Sequence, residues 1–339
     1  MVPALDVRDL RVHFLLDEGT VRAVDGVSFS VEPGKTLGIV GESGSGKSVI
    51  GQSILRIVPS PGKIVRGEIL LRMENGQGEP TQLDMAQIES HGRLARSIRG
   101  KEIAMIFQEP MNSFSPVHTV GSQIVEALRL HADVSPQEAR NRTVEMLKKV
   151  GIPQPEHRIG AYPHELSGGM RQRAMIAMAL VCNPRILIAD EPTTALDVTI
   201  QAQIIDLLKK LQEEFGMAIL FISHNLGVIS EISHEVLVVY FGRVMEHAPV
   251  DVLFREALHP YTKALLRSVP GIDTPVRSHL ATIEGTLPDP YANIPGCPFF
   301  GRCMECEGRT VCRDDPYSLT KVGPRHFVAC PRICVADFA

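Results

Sequence analysis

Apolar and polar residues alternate near the start of the chain, at Leu5, Val7, Leu10, Val12 and Phe14 and again at Val24, Val27, Phe29 and Val31. That is the pattern of short, half-buried strands. Pro33-Gly34 marks a turn, and Leu37-Gly38-Ile39-Val40 is an apolar run short enough for a fully buried strand. It opens into a glycine-rich loop and a helix predicted over about Lys47–Ile57. Positions 58–98 read as loop-rich, broken by Pro59, Pro61 and Asn75-Gly76, and Ile103–Phe107 reads as another buried strand. From about Thr119 to Leu180 the period turns helical, with Ser135-Pro136-Gln137-Glu138 at capping-box spacing and proline at the first helical position. Strands return at Ile186–Ala189, Ala218–Ile222 and Val236–Tyr240. The order predicts an α/β core that carries a helical subdomain at about 115–180.

Gly41-Glu42-Ser43-Gly44-Ser45-Gly46-Lys47-Ser48 matches G-x-x-x-x-G-K-[ST] and stands between an apolar strand and a helix, the context that gives the motif its meaning. Gly41, Gly44 and Gly46 let the backbone wrap phosphates with its N–H groups, Ser43 among them, and the helix N-terminus adds a favourable dipole. Lys47 would reach the β- and γ-phosphates, and Ser48 would ligate Mg²⁺. Ile186-Leu187-Ile188-Ala189-Asp190-Glu191 is an apolar strand ending in two acids. Beside a phosphate loop these divide the work: Asp190 for the metal shell, Glu191 as the base that polarises the attacking water. Taken alone, these motifs point to a P-loop NTPase.

Leu166-Ser167-Gly168-Gly169-Met170-Arg171-Gln172-Arg173 narrows the reading. It resembles the signature motif of ATP-binding-cassette ATPases, with Met170 where the family usually has glutamine. The resemblance implies that Ser167, Gly168 and Gly169 cover the γ-phosphate bound to a second subunit. It also implies an aromatic under the adenine at Phe14 and a Mg²⁺- and water-sensing glutamine at Gln108. Ala195-Leu196-Asp197 resembles the loop that touches the partner's site, and His224 the histidine that touches the γ-phosphate. The fold implied is a P-loop NTPase cassette core with an antiparallel β subdomain and a helical signature subdomain, over 1–255. Gln108 to Phe114 with Thr119-Val120-Gly121, and His259-Pro260-Tyr261-Thr262-Lys263-Ala264-Leu265-Leu266, resemble the peptide-importer branch of the family. That branch implies ATP and Mg²⁺, a second, related ATPase subunit forming a heterodimer, and two integral membrane permease subunits. An extracytoplasmic solute-binding protein would act indirectly, and the chain would sit peripherally on the cytoplasmic face of the inner membrane.

Pro, Gly and Cys become dense after about Pro270, and 256–339 is read as a small Cys-rich C-terminal extension. Six of the seven cysteines (Cys297, Cys303, Cys306, Cys312, Cys330 and Cys334) lie there, while Cys182 stands apart. No run of about 18 apolar residues and no secretion signal precedes them, so metal ligation is favoured over disulfides. Cys297-x5-Cys303-x8-Cys312-x17-Cys330 resembles the C-terminal four-cysteine motif of dipeptide and oligopeptide importer ATPases, some of which carry a [4Fe–4S] cluster. Four thiolates suit such a cluster or, alternatively, a tetrahedral zinc. The extension is expected to be structural, with nothing coupling it to the ATP chemistry.

A net charge of −4 argues against binding nucleic acid through a general basic surface. The alternative, a soluble cassette ATPase acting on nucleic acid or ribosomes, usually brings two cassettes, coiled-coil or zinc-hook insertions, or basic tails, and the sequence has none of these.

Overall fold

The computed structural model describes residues 2–74, 80–108, 114–194, 196–268, 283–306 and 311–336. The chain divides into two compact units. One comprises Met1–Leu5, Val31–Lys35 and Leu71–Phe221; the other comprises Asp6–Ser30, Thr36–Leu70 and Ile222–Ala339.

The unit built around 71–221 holds three short apolar strands: β6 (Ile103–Ile106), β7 (Ile186–Asp190) and β8 (Ala218–Ile222). Every residue of β7 and β8 is buried, as continuous apolar runs in a covered parallel sheet should be. β6 pairs in parallel with β7, setting Ile106 opposite Ala189, so both strands end at the same edge. The edge is therefore where Gln108 and Asp190-Glu191 emerge. The helical stretch resolves into helices at Val120–Arg129, Pro136–Lys149, Pro155–Arg158 and Gly168–Leu180. The predicted cap is present on one side: Ser135 Oγ accepts from the Glu138 N–H at 3.2 Å. Glu138 does not reach back to complete the box; its carboxylate pairs instead with Arg142 one turn on.

In the other unit, β1 (Leu5–Leu16) and β2 (Gly19–Val31) are joined by Asp17-Glu18, a connection short enough only for antiparallel strands. β1 also neighbours β4 (Gly62–Glu74), in the order β2–β1–β4. The presence of β4 and of β5 (Pro80–Asp84) corrects the loop-rich reading of 58–98. β4 keeps only Ile69 and Leu71 buried, and its prolines precede the strand rather than interrupt it, so alternation could not reveal it. The first helix is also shorter than predicted, Lys47–Ile54, because Arg56 turns into the left-handed region at φ 57°.

β3 (Thr36–Val40) lies parallel to β9 (Glu235–Tyr240), which runs antiparallel to β10 (Arg243–Pro249). β12 (His326–Val328) and β11 (Thr320–Gly323) extend the same sheet in the order β11–β12–β10–β9–β3. The Cys-rich extension is thus continuous with the strand that leads into the phosphate loop. At its centre Glu246 on β10 is fully buried. Its carboxylate accepts the N–H groups of Leu258 and His259 at 2.8 and 3.0 Å and meets His326 Nε2 at 2.8 Å. Burial pushes this carboxyl up, but His326 and the other donors outweigh that and hold it below its ordinary range. The network fastens two separate parts of the extension, at 258–259 and at 326, to one strand.

Candidate functional site

The candidate residues form two groups, one in each unit. In the phosphate-loop group, Val40 ends a fully buried β3 and Gly41 begins the turn. A Cβ on Gly41 would lie 2.0 Å from the Val239 carbonyl oxygen, and one on Gly46 would lie 2.1 Å from that of Ala23. Gly46 also has φ 99° and caps the Lys47–Ile54 helix, so a side chain is excluded at both ends of the loop. Ser43 and Gly44, at the crest, are exposed. Lys47 is buried, and its Nζ donates to the carbonyls of Gly41 and Glu42, both at 2.8 Å. The loop therefore holds its one cation inside its own curve. Ser48 follows on the first turn of the helix. His224 is exposed on the turn after β8, between Ser223, whose N–H reaches Ile39 O at 3.1 Å, and Asn225, which caps the next helix. Phe14, on β1, has its ring edge against Gly62, where a Cβ would come within 2.8 Å.

The acidic group lies in the other unit. Asp190 is buried at the end of β7, and Glu191 follows in the left-handed region at φ 48°. That backbone, costly for a residue with a Cβ, turns the Glu191 side chain off the strand direction. Glu191 Oε2 accepts from Gln108 Nε2 at 3.1 Å and from Thr194 Oγ1 at 2.8 Å. Two of the three predicted catalytic residues therefore touch one another. Thr194 was not singled out from sequence; its signal was the Glu-Pro-Thr-Thr turn, with Thr194 N–H on Glu191 O at 3.2 Å.

Ser167 is the N-cap of the Gly168–Leu180 helix, its Oγ accepting from Met170 N–H at 3.3 Å. Ser167 and Gly168 are exposed, and a Cβ on Gly168 would meet nothing within 4 Å. Nothing within this unit therefore requires a glycine at 168. At Gly169 a Cβ would lie 3.1 Å from the Ile200 side chain. Asp197 caps the Val198–Phe215 helix through Ile200 N–H at 2.9 Å. Ala195 and the importer-like stretch Glu109–Ser113 lie outside the described residues.

In the extension, Cys297, Cys303, Cys306, Cys312 and Cys330 are free thiols, and burial raises the pKa of Cys297, Cys303 and Cys312. Cys297 and Cys312 are each pushed up to about 12, chiefly by burial and then by neighbouring cysteines. Cys306, which the family spacing does not use, is hydrogen-bonded to Cys312. Among the described residues no group of three or more His, Cys, Asp or Glu side chains stands ready to hold a metal ion. The side chain of Cys334 lies outside them.

The expected independence of the extension from the phosphate loop does not hold. Arg302 pairs with Glu42 in the loop at 2.7 Å, and Tyr261 OH accepts the Glu42 N–H at 2.9 Å. Tyr240, at the end of β9, packs against Tyr261 and Phe299 and so sets this part of the extension beside the loop.

Residues 24–194 match the ABC transporter family, and residues 245–309 match the oligopeptide/dipeptide transporter C-terminal region. The chain belongs to the ABC transporter family. It is an ATPase of that family, and ATP and Mg²⁺ are what such an ATPase uses. It is 50% identical over 329 residues to a peptide ABC transporter ATP-binding protein of Sinorhizobium fredii, covering 97% of this chain and 94% of that one. A peptide import ATP-binding protein of Brucella ovis is 52% identical over 308 residues, 89% of each chain. Among solved structures, a dimeric ATP-binding cassette in a post-hydrolysis state bound to ADP and Pi matches with TM-score 0.62 at 26% identity. The match covers 73% of this chain and 98% of that one. The cassette cbiO1 from Clostridium perfringens, part of the ABC transporter complex cbiONQ, matches with TM-score 0.61 at 27% identity, over 76% and 92%. No helix among the described residues is long and apolar enough to cross a membrane.

Proposed function

We propose that this ABC ATPase powers the import of di- or oligopeptides or related small solutes. It would work as one of two related ATPase subunits bound peripherally to two membrane permeases on the cytoplasmic face of the membrane. An extracytoplasmic binding protein would deliver the solute. The observation that carries the reading is the pairing of an ABC ATPase region with the oligopeptide/dipeptide transporter C-terminal region in one chain. The names of the relatives at about half identity agree with it.

In this reading the loop Gly41–Ser48 wraps the phosphates, Lys47 faces the β- and γ-phosphates, and Phe14 lies under the adenine. Glu191 accepts the proton of the attacking water, held for that task by Gln108 and Thr194, while His224 contacts the γ-phosphate. Ser48 Oγ, the Gln108 amide oxygen and the Asp190 carboxylate are each oxygen donors of the kind Mg²⁺ takes, and the ion would supply positive charge to the transferred phosphoryl group. Ser167, Gly168, Gly169 and Asp197 act on the nucleotide of the partner subunit. The open space around Gly168 supports this, since a surface glycine at a helix N-terminus leaves room for an anion presented from outside.

Lys47→Ala is expected to weaken ATP binding, because the charge facing the phosphates is lost. Titration with a fluorescent ATP analogue measures it; unchanged affinity would mean that the loop is not the nucleotide site.

The extension, taken as 256–339, is assigned a metal-binding role. Cys297, Cys303, Cys312 and Cys330 offer soft thiolates suited to a [4Fe–4S] cluster, or alternatively to zinc. Cys297, Cys312 and Cys330 are buried and Cys303 is half-buried, and all are free thiols, which is what supports the assignment. Protein purified without oxygen is expected to be brown and to contain about four irons per chain. Stoichiometric zinc without iron would change the metal, and neither metal would refute the site.

A further inference from the structure

We propose that Arg302 is a positioning residue for nucleotide binding, bracing the phosphate loop from the C-terminal extension through Glu42. The inference rests on Gly41–Ser48 being the phosphate cradle.

Arg302 closes the short turn Phe300–Arg302, immediately before Cys303, and its side chain is only 8% exposed. A guanidinium has five N–H donors, and buried ones must all be satisfied. Here each has an acceptor. Nε donates to Glu284 O at 3.0 Å; Nη1 to Glu42 Oε2 at 2.7 Å and Tyr240 OH at 3.2 Å; Nη2 to Glu42 Oε1 at 3.1 Å and Ile283 O at 3.0 Å. The contact with Glu42 is a two-pronged fork, the strongest and most directional form of this ion pair. Tyr240, Tyr261 and Phe299 pack around it with ring centroids 4.7 to 5.4 Å apart, so the arginine is held in place by a rigid aromatic cluster.

From the other side, every polar part of Glu42 is fixed. Its carboxylate is held by Arg302 and its N–H by Tyr261 OH at 2.9 Å. Its carbonyl accepts from Lys47 Nζ at 2.8 Å and Ser45 N–H at 3.2 Å. The brace therefore continues directly into the lysine that meets the phosphates. It has an electrostatic side as well. A carboxylate in a loop that must accept phosphate anions repels them, and the Arg302 charge offsets that repulsion. Losing Arg302 would both loosen the loop and expose that negative charge.

The test is titration of the full chain with a fluorescent ATP analogue and Mg²⁺, alongside KM and kcat in the membrane complex. Arg302→Ala is expected to weaken binding about tenfold, with KM rising and kcat little changed. Arg302→Lys keeps the charge but loses the fork and is expected to weaken it about threefold. Adding Glu42→Gln to Arg302→Ala should bring the affinity back to within about threefold of wild type, because the unpaired carboxylate is gone while the fork stays lost. General damage to the extension would not be relieved in this way, so no recovery in the double variant overturns the proposal. Wild-type affinity in both single variants also overturns it. Should Arg302→Ala fail to fold, Arg302→Lys decides alone. Lys47→Ala separates the two levels of the argument: if it weakens binding while the Arg302 variants do not, only the brace is wrong. If it too has no effect, the loop assignment falls.

Discussion

The Glu191→Gln variant is expected to bind ATP as the wild type does and to release phosphate about 10² to 10⁴ times more slowly. Glutamine has the same shape, so the contacts from Thr194 Oγ1 and the left-handed turn at position 191 can persist. What is lost is the basic oxygen that, on the proposed mechanism, takes a proton from water. Gln108 bonds to the same Oε2, so the proposed water-orienting amide and the proposed base lie side by side. Phosphate release from the assembled complex measures the effect, and a wild-type rate would remove Glu191 from the mechanism.

Ser167→Arg is expected to abolish cooperative hydrolysis while leaving ATP binding to the isolated chain largely intact. Ser167 is exposed at a helix start and its cap on Met170 N–H is local, so the fold loses about 1 kcal/mol. The larger expected effect is steric: a long side chain would stand where the proposed composite site covers the partner's nucleotide. Hydrolysis rate against protein concentration checks it. Full-rate hydrolysis by a dilute monomer, or by the Ser167→Arg complex, would contradict a composite site.

The chemistry of the cassette was legible because it demands fixed residue types at fixed spacing. Gly41 and Gly46 are glycines because a Cβ would strike a carbonyl, Lys47 and Ser48 stand at the motif's fixed positions, and Asp190-Glu191 ends an unmistakably buried strand. Thr194 was harder, since its role exists only once the turn brings it onto Glu191. β10 was unreadable for another reason: a buried glutamate at its centre looks like a surface residue until His326 and the N–H groups of 258 and 259 are placed around it. β11 and β12 are too short to show a period. The brace at Arg302 left no local trace at all. A charged residue in a Cys-rich coil reads as solvated, and its partner Glu42 lies 260 positions away in the chain.

The central claim is that this ATPase drives transport through membrane partners. The most direct measurement isolates the tagged chain from detergent-solubilised membranes and reconstitutes what accompanies it into vesicles. Uptake of a labelled tripeptide is then followed with MgATP on the side of the ATPase. The account predicts that two integral membrane proteins and a second ATPase subunit co-purify, and that peptide accumulates only with MgATP. An active ATPase that retains no membrane protein, and instead brings down ribosomes or nucleic acid, would contradict it.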